Sequence, residues 1–235
     1  MKHFKLTEET ITNIFGVKLF RIELTIDCKW GKIGDKGGFV EKEENLSGNA
    51  WVSGDAQVYG DARVYGDARV SGDARVSGDA RVSGNARVYG DANVYGDARV
   101  SGDARVSGNA RVYGDANVYG DAWVYGDAMV YGDAMVYGDA MVYGDAWVSG
   151  DARVSGNAWV SGNSWKKSPL QIQGTKHFFN ICAKGKIQVG CMSFEIEYWV
   201  KNFEKIGKEN GYTEEQIKEY GLYINLAKKL NETTE

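Results

Sequence analysis

The sequence predicts an all-β solenoid with a separately folded segment at each end. Three observations carry that prediction. From Gly48 to Gly162 a glycine falls at every sixth position, twenty in all without a slip. Each unit reads Gly-Asp/Asn-Ala-x-Val-Ser/Tyr, so Ala and Val stand two apart and face the same side of a short strand. Outside this stretch the period stops and the composition changes: all the Lys lie in the flanks, and every Arg except Arg21 lies in the repeat. A strict short period means one unit stacked on copies of itself, each burying the apolar face that its neighbour would expose. A helix is excluded, because six does not match 3.6 and a glycine at every sixth position costs ~1 kcal/mol each time.

In chain order, residues 1–45 read as a β cap. The run Lys18–Ile26 alternates as a strand, and Gly37-Gly38 marks a tight turn before Phe39-Val40. Residues 46–165 are the rod. Within each unit Ala and Val point inward, the residue between them and the Ser or Tyr after Val point outward, and Gly with Asp or Asn makes the corner. Residues 166–235 form the second cap. It opens with short β segments at Leu170–Gln173 and Lys186–Val189, followed by two helices. Ser193 is the expected N-cap of the first helix, which stops at Gly211; Thr213-Glu-Glu-Gln216 is a capping box opening the second.

The rod resembles the bacterial hexapeptide-repeat family, which has an aliphatic residue every sixth position and a small residue two before it. Val52, Val58, Val64 and onward to Val160 match the first position, and Ala50, Ala56, Ala62 and onward to Ala158 the second. The resemblance implies a three-sided, left-handed parallel β-helix of about 18 residues per coil, with a rise of ~4.8 Å per coil. The glycine sits two residues after the aliphatic position instead of directly after it, so a right-handed β-helix, as in the bactofilins, remains the alternative. The flanks carry a second resemblance. Lys18–Ile22, Lys36–Ser47, Gly185–Cys191 and Ile206–Thr213, in this order around the repeat, resemble uncharacterised hexapeptide-repeat proteins of bacteriophages and prophages. That implies a protein made during infection, such as a host-interaction or anti-defence factor.

Stacking by 18 arranges the outward residues in three columns. The first reads Trp51, Arg69, Arg87, Arg105, Trp123, Met141, Trp159. The second reads Gln57, Arg75, Asn93, Arg111, Met129, Trp147, Trp165, and the third Arg63, Arg81, Arg99, Asn117, Met135, Arg153. Arginine ladders therefore occupy the early coils and a Met/Trp belt the later ones, widened by Tyr113, Tyr119, Tyr125, Tyr131, Tyr137 and Tyr143. Such a belt should be covered. Two covers are weighed equally: the chain's own tail, through the helical stripe Phe194, Ile196, Trp199, Val200, Phe203 and Ile206, and self-association; a foreign partner such as a host protein is the third. Arg63, Arg69, Arg75, Arg81, Arg87, Arg99, Arg105 and Arg111 offer an anion surface for nucleic acid or nucleotides. Against that reading, the repeat holds 9 Arg and 15 Asp, whereas duplex binding feeds on excess positive charge. Mimicry of a phosphate backbone by the Asp columns is a further alternative.

Enzymatic chemistry finds little support. Acyl transfer on this scaffold needs a general base at a groove between rods, and the carbonic anhydrases of similar fold need several histidines. The chain has only His3 and His177, neither of them in the repeat. A zinc site from His177, Cys182 and Cys191 lacks paired spacing and a fourth ligand. The expectation is a non-enzymatic binding protein without cofactor. Residues 1–16 lack an export signal, no stretch approaches ~18 apolar residues, and Cys28, Cys182 and Cys191 are an odd set. A cytoplasmic protein with free thiols and no membrane association follows.

Overall fold

The computed structural model describes residues 2–162 and 164–232. Each outward residue and the Val after it form a short strand. From Trp51–Val52 to Met141–Tyr143 each such strand pairs, parallel and in register, with its counterpart three units further on: Arg63 lies opposite Arg81, and Val64 opposite Val82. Three sheets result. One has seven strands, from Trp51–Val52 to Trp159–Ser161; one has six, from Arg63–Val64 to Arg153–Val154. The third has ten and continues beyond the rod into the N-terminal strands. Every Ala from Ala50 to Ala158 and every Val from Val52 to Val160 is fully buried. The expected β-solenoid is therefore the fold, three-sided and with three repeat units to the coil.

The corners explain the glycine period. Each corner glycine from Gly48 to Gly162 has φ between 57° and 73°, a left-handed conformation that side chains with a Cβ resist. Stacking adds a second constraint: a Cβ on Gly102 would stand 3.0 Å from both the backbone nitrogen and oxygen of Gly120 in the next coil.

The ladder gives the rod a polarity. The Arg63 N–H donates to the Ala80 carbonyl at 2.9 Å, and the Tyr65 N–H to the Val82 carbonyl at 2.9 Å. The pattern recurs coil after coil, so the first coil is left with unpaired carbonyls and the last with unpaired N–H groups. Each cap supplies the missing chemistry, as buried backbone requires. At the N-terminal end the donors are of two kinds. The backbone N–H groups of Phe39 and Glu41 serve the Ala56 and Val58 carbonyls at 2.9 and 3.0 Å. Side chains serve others, with His3 Nε2 3.0 Å from the Ala50 carbonyl and the Asn45 amide donating to the Gly60 and Ala62 carbonyls at 3.1 and 2.9 Å. Burial pushes the His3 imidazole below its usual pKa, which favours the neutral ring. At the C-terminal end the caps are acceptors. Ser168 Oγ takes the Arg153 N–H at 3.0 Å, Gln171 Oε1 the Ser155 N–H at 2.8 Å, and Gln188 Oε1 the Trp159 N–H at 3.1 Å.

The N-terminal cap consists of β1 (Phe4–Thr12), β2 (Lys18–Leu24) and β3 (Lys36–Val40). β1 and β2 pair antiparallel, as do β2 and β3, and β3 joins the rod in parallel beside Gln57–Val58. The sequence pattern does not announce β1. Gly37-Gly38 is not the expected turn but lies within β3. A Cβ on Gly37 would stand 2.6 Å from the Val52 carbonyl oxygen, and one on Gly38 2.7 Å from that of Ala56. The pair serves close approach of the cap to the first coil, not a reversal of the chain.

After the last coil the chain forms a four-stranded antiparallel sheet from Gln171–Gln173, Phe178–Ala183, Lys186–Val189 and Met192–Glu195. Helices α1 (Ile196–Glu209) and α2 (Glu214–Glu232) follow. Thr213 and Gln216 close the expected capping box, with Gln216 N–H donating to Thr213 Oγ1 at 3.2 Å and Thr213 N–H to Gln216 Oε1 at 3.0 Å. Ser193, expected to cap α1, lies instead in the strand before it, with Oγ 3.2 Å from Cys182 Sγ. The strand runs on to Glu195, which takes the N-cap position of α1 in its place.

Trp165 also departs from expectation. It should extend the second outward column, yet Ser164 pairs with Trp147 and Trp165 with Val148. One residue is lost in the step, which swaps faces on a strand. Trp165 consequently packs on the end of the Ala/Val core, where Phe178 joins it.

Candidate functional site

The predicted surface residues fall into the expected columns up to Trp159. Trp123, Met141 and Trp159 follow one another on the seven-stranded face, Met129 and Trp147 on the second, and Met135 on the third. Trp123 is 37% exposed and Trp147 44%, while Met129, Met135 and Met141 are half-buried among neighbours of their own column. Carbon-rich side chains thus encircle the rod from Trp123 to Trp147, interrupted at the corners only by Tyr and Asp beside the glycines.

The tyrosines do more than widen this belt. Successive coils place them one above another at the corners, where their rings stack. Tyr95, Tyr113 and Tyr131 form a three-ring column with centroids 4.9 Å apart and planes within 2°. Tyr119 stacks on Tyr137 at 5.0 Å, and Tyr125 on Tyr143 at 5.5 Å. Parallel offset rings at this spacing are held by dispersion and shield one another from water. Burial in these stacks pushes the Tyr113 and Tyr125 phenols above their usual pKa, with Tyr95 and Tyr131 beside the first and Tyr143 beside the second. Tyr95 lies outside the predicted belt, although its place one coil before Tyr113 is the signal that identifies it.

Nothing from the C-terminal cap is needed to explain these residues. Of the stripe proposed as a cover, Ile196 and Trp199 with Val200, Phe203 and Ile206 pack instead with Phe179, Ile187, Tyr220 and Ile224 in a second core, while Phe194 lies in the strand before α1 and is exposed. The Trp199 indole N–H donates to the Ile187 carbonyl at 2.9 Å, which fixes α1 on its own sheet. A helical stripe in a sequence shows that a face is buried, not against what. Here the four-stranded sheet, half of whose strands the sequence pattern does not announce, provides the partner.

The arginine ladders stand on the earlier coils of the same faces: Arg63, Arg81 and Arg99 on one, and Arg69, Arg87 and Arg105 on another. Arg75 and Arg111 share the third but are separated by Asn93. Where ladder and belt meet, the Arg105 guanidinium lies 4.5 Å from the centre of the Trp123 ring. Acidic corners run past both regions. Among the described residues no group of His, Cys, Asp and Glu has the geometry to hold a metal ion, and no helix is long and apolar enough to cross a membrane.

Against known proteins, the chain is similar in its rod to the family described as the YdcK beta solenoid repeat. That family's model matches repeatedly at residues 56–72, 68–81, 80–96, 92–108, 104–120, 110–126, 134–150 and 146–162. The repeat is what is shared; the match covers neither cap. No curated protein matches the chain.

Proposed function

We propose that this is a non-enzymatic interaction protein whose Met/Trp/Tyr belt binds another macromolecule. The observation that carries the reading is the exposure of Trp123 and Trp147 within a continuous apolar and aromatic surface. Surfaces of this kind are uncommon on isolated chains and common at interface centres. The solenoid core is complete with Ala, Val and Gly, so the exposed Trp123 and Trp147 side chains serve something other than the fold. The resemblance of the flanks to proteins of bacteriophages and prophages supports a role during infection, as a host-interaction or anti-defence factor. Nucleic-acid binding along the Arg ladders is the weaker reading, because each ladder runs between corner aspartates that cancel its charge.

The test compares wild-type protein with Met129→Glu/Trp147→Glu by light scattering and by affinity capture from host cells. Loss of self-association or of a captured protein in the variant supports the belt. A monomeric wild type whose solubility and captured proteins are the same as those of the variant ends the proposal.

A further inference from the structure

The charge of the rod is segregated along its axis. Between residues 48 and 111 there are eight Arg and eight Asp; between residues 112 and 152 there are seven Asp and no basic residue. The aromatic belt is therefore also the acidic part of the rod. All seven, from Asp115 to Asp151, are exposed. In the first coils the corner acids meet cations from the N-terminal cap: Lys42 pairs with Asp61 at 2.9 Å, Lys29 with Asp67, and Arg21 with Asp55 at 3.7 Å. Among the described residues Asp115 to Asp151 have no such cation; Asp127 receives only the Asn109 amide, at 2.8 Å. Stacked like charges one coil apart repel, and the sequence nevertheless keeps them around its most apolar surface.

Resting on the belt as the binding surface, we propose that its partner is a cationic, partly apolar segment of another protein. The contact centres on the edge that carries Tyr125, Tyr143, Asp127 and Asp145. This edge separates the face of Trp123 and Met141 from the face of Met129 and Trp147, so a segment laid along it meets apolar side chains on both flanks and carboxylates at the crest. Belt-on-belt packing of two copies would instead oppose two acidic crests. The chain itself shows the chemistry in miniature: Arg105 places its guanidinium 4.5 Å above Trp123, at the border where the cations end, a geometry that favours positive charge over an aromatic face. Met is suited to the apolar part of such a contact, since its flexible thioether adapts to irregular side chains.

The test uses three labelled peptides of equal length, alternating Leu with Arg, Gln or Glu, titrated with the full chain and followed by fluorescence anisotropy. The Arg/Leu peptide should bind at least about tenfold more tightly than the Gln/Leu peptide, the Glu/Leu peptide should not bind, and rising salt should weaken binding. Asp127→Asn/Asp145→Asn should weaken the Arg/Leu peptide about fivefold or more, whereas Asp79→Asn/Asp97→Asn, which removes the same charge from the Arg-bearing coils, should leave it unchanged. Equal binding of the three peptides, or equal effects of the two Asp pairs, overturns the proposal. If Met129→Ala/Trp147→Ala weakens binding while Asp127→Asn/Asp145→Asn does not, the belt stands and its cationic partner falls. If only the Asp changes matter, the belt itself falls. A homodimer lost in Met129→Glu would assign the surface to a second copy and likewise overturn the proposal.

Discussion

Residues 48–111 and residues 112–152 build the same object and present different surfaces. In both stretches the Ala and Val side chains are fully buried, the corner glycines have the same left-handed φ, and each strand pairs with its counterpart one coil away. The outward position is mostly Arg in the first stretch and, after Asn117, Met or Trp in the second. The post-Val position shifts from mixed Ser and Tyr to unbroken Tyr between Tyr113 and Tyr143, and the balance of charge turns acidic. Backbone and core tolerate either wall, so the fold by itself does not dictate which is displayed. What differs between the halves is therefore where function is to be sought, and what they share is where stability resides.

The largest expected effect tests the shared part. Val82→Asp in the arginine half and Val136→Asp in the belt half each bury an unpaired carboxylate in a core one coil wide. Each should cost several kcal/mol, on the order of 3 or more, measured by denaturant unfolding. Equal losses support one uniform rod; a much milder loss at Val136 would mean that the belt coils are packed differently. Next come the corners. Gly72→Ala and Gly126→Ala each force a Cβ into a left-handed residue, 3.0 Å from the backbone nitrogen of the next coil. About 1–3 kcal/mol should be lost at either site, again without distinction between the halves.

The legibility of the molecule in its sequence follows the same division. The coil is readable because its cause is local and repeated: Gly at the corner, Ala and Val inside, the same six positions each time. The columns follow from it, and with them the site residues. At the ends the helices, their capping box and some of the strands are readable for the same local reasons, but the way the ends cap the rod is not, because it turns on single long-range hydrogen bonds. Nothing around Asn45 announces that it will serve the Gly60 and Ala62 carbonyls, and nothing around Gln188 that it will accept from Trp159. Gly37-Gly38 looks like a turn because glycine pairs usually are; its reason is the backbone of the first coil lying against it. Trp165 leaves its column for a related reason. The unit after Gly162 lacks the Ala-x-Val core, and once the repeat ends the register is set by packing against the rod's end.

Smaller effects should distinguish the halves. Tyr113 stacks on rings above and below, at 4.9 Å each, whereas the equivalent position in other coils is often Ser. Tyr113→Ser should lower stability by about 1 kcal/mol, read as a shift of the unfolding midpoint. Tyr65→Ser should cost less, because the residues one coil before and one coil after it are Ser47 and Ser83, and no stacked ring is lost there. Similar losses at the two sites would mean that the ring column contributes nothing of its own.

The smallest effect should raise stability in the belt half and not in the arginine half. Asn already occupies the corner at positions 49, 85, 109 and 157, so Asp→Asn is compatible with the turn, and charge is the main difference. Asp133 stands between Asp115 and Asp151 in one column, with no Arg on the coils from residue 112 to residue 152. Asp133→Asn should remove repulsion and raise stability by a few tenths up to about 1 kcal/mol at low ionic strength. Asp79 lies in the same column, but among coils whose outward residues include Arg63, Arg75, Arg81 and Arg99. There the substitution removes attraction along with repulsion, and stability should stay level or fall slightly. Thermal unfolding of both variants at low and high salt reads the difference, which screening should erase. If Asp133→Asn destabilises the rod at low salt, the acidic corners of the belt are not in mutual repulsion, and a cationic partner loses its physical basis.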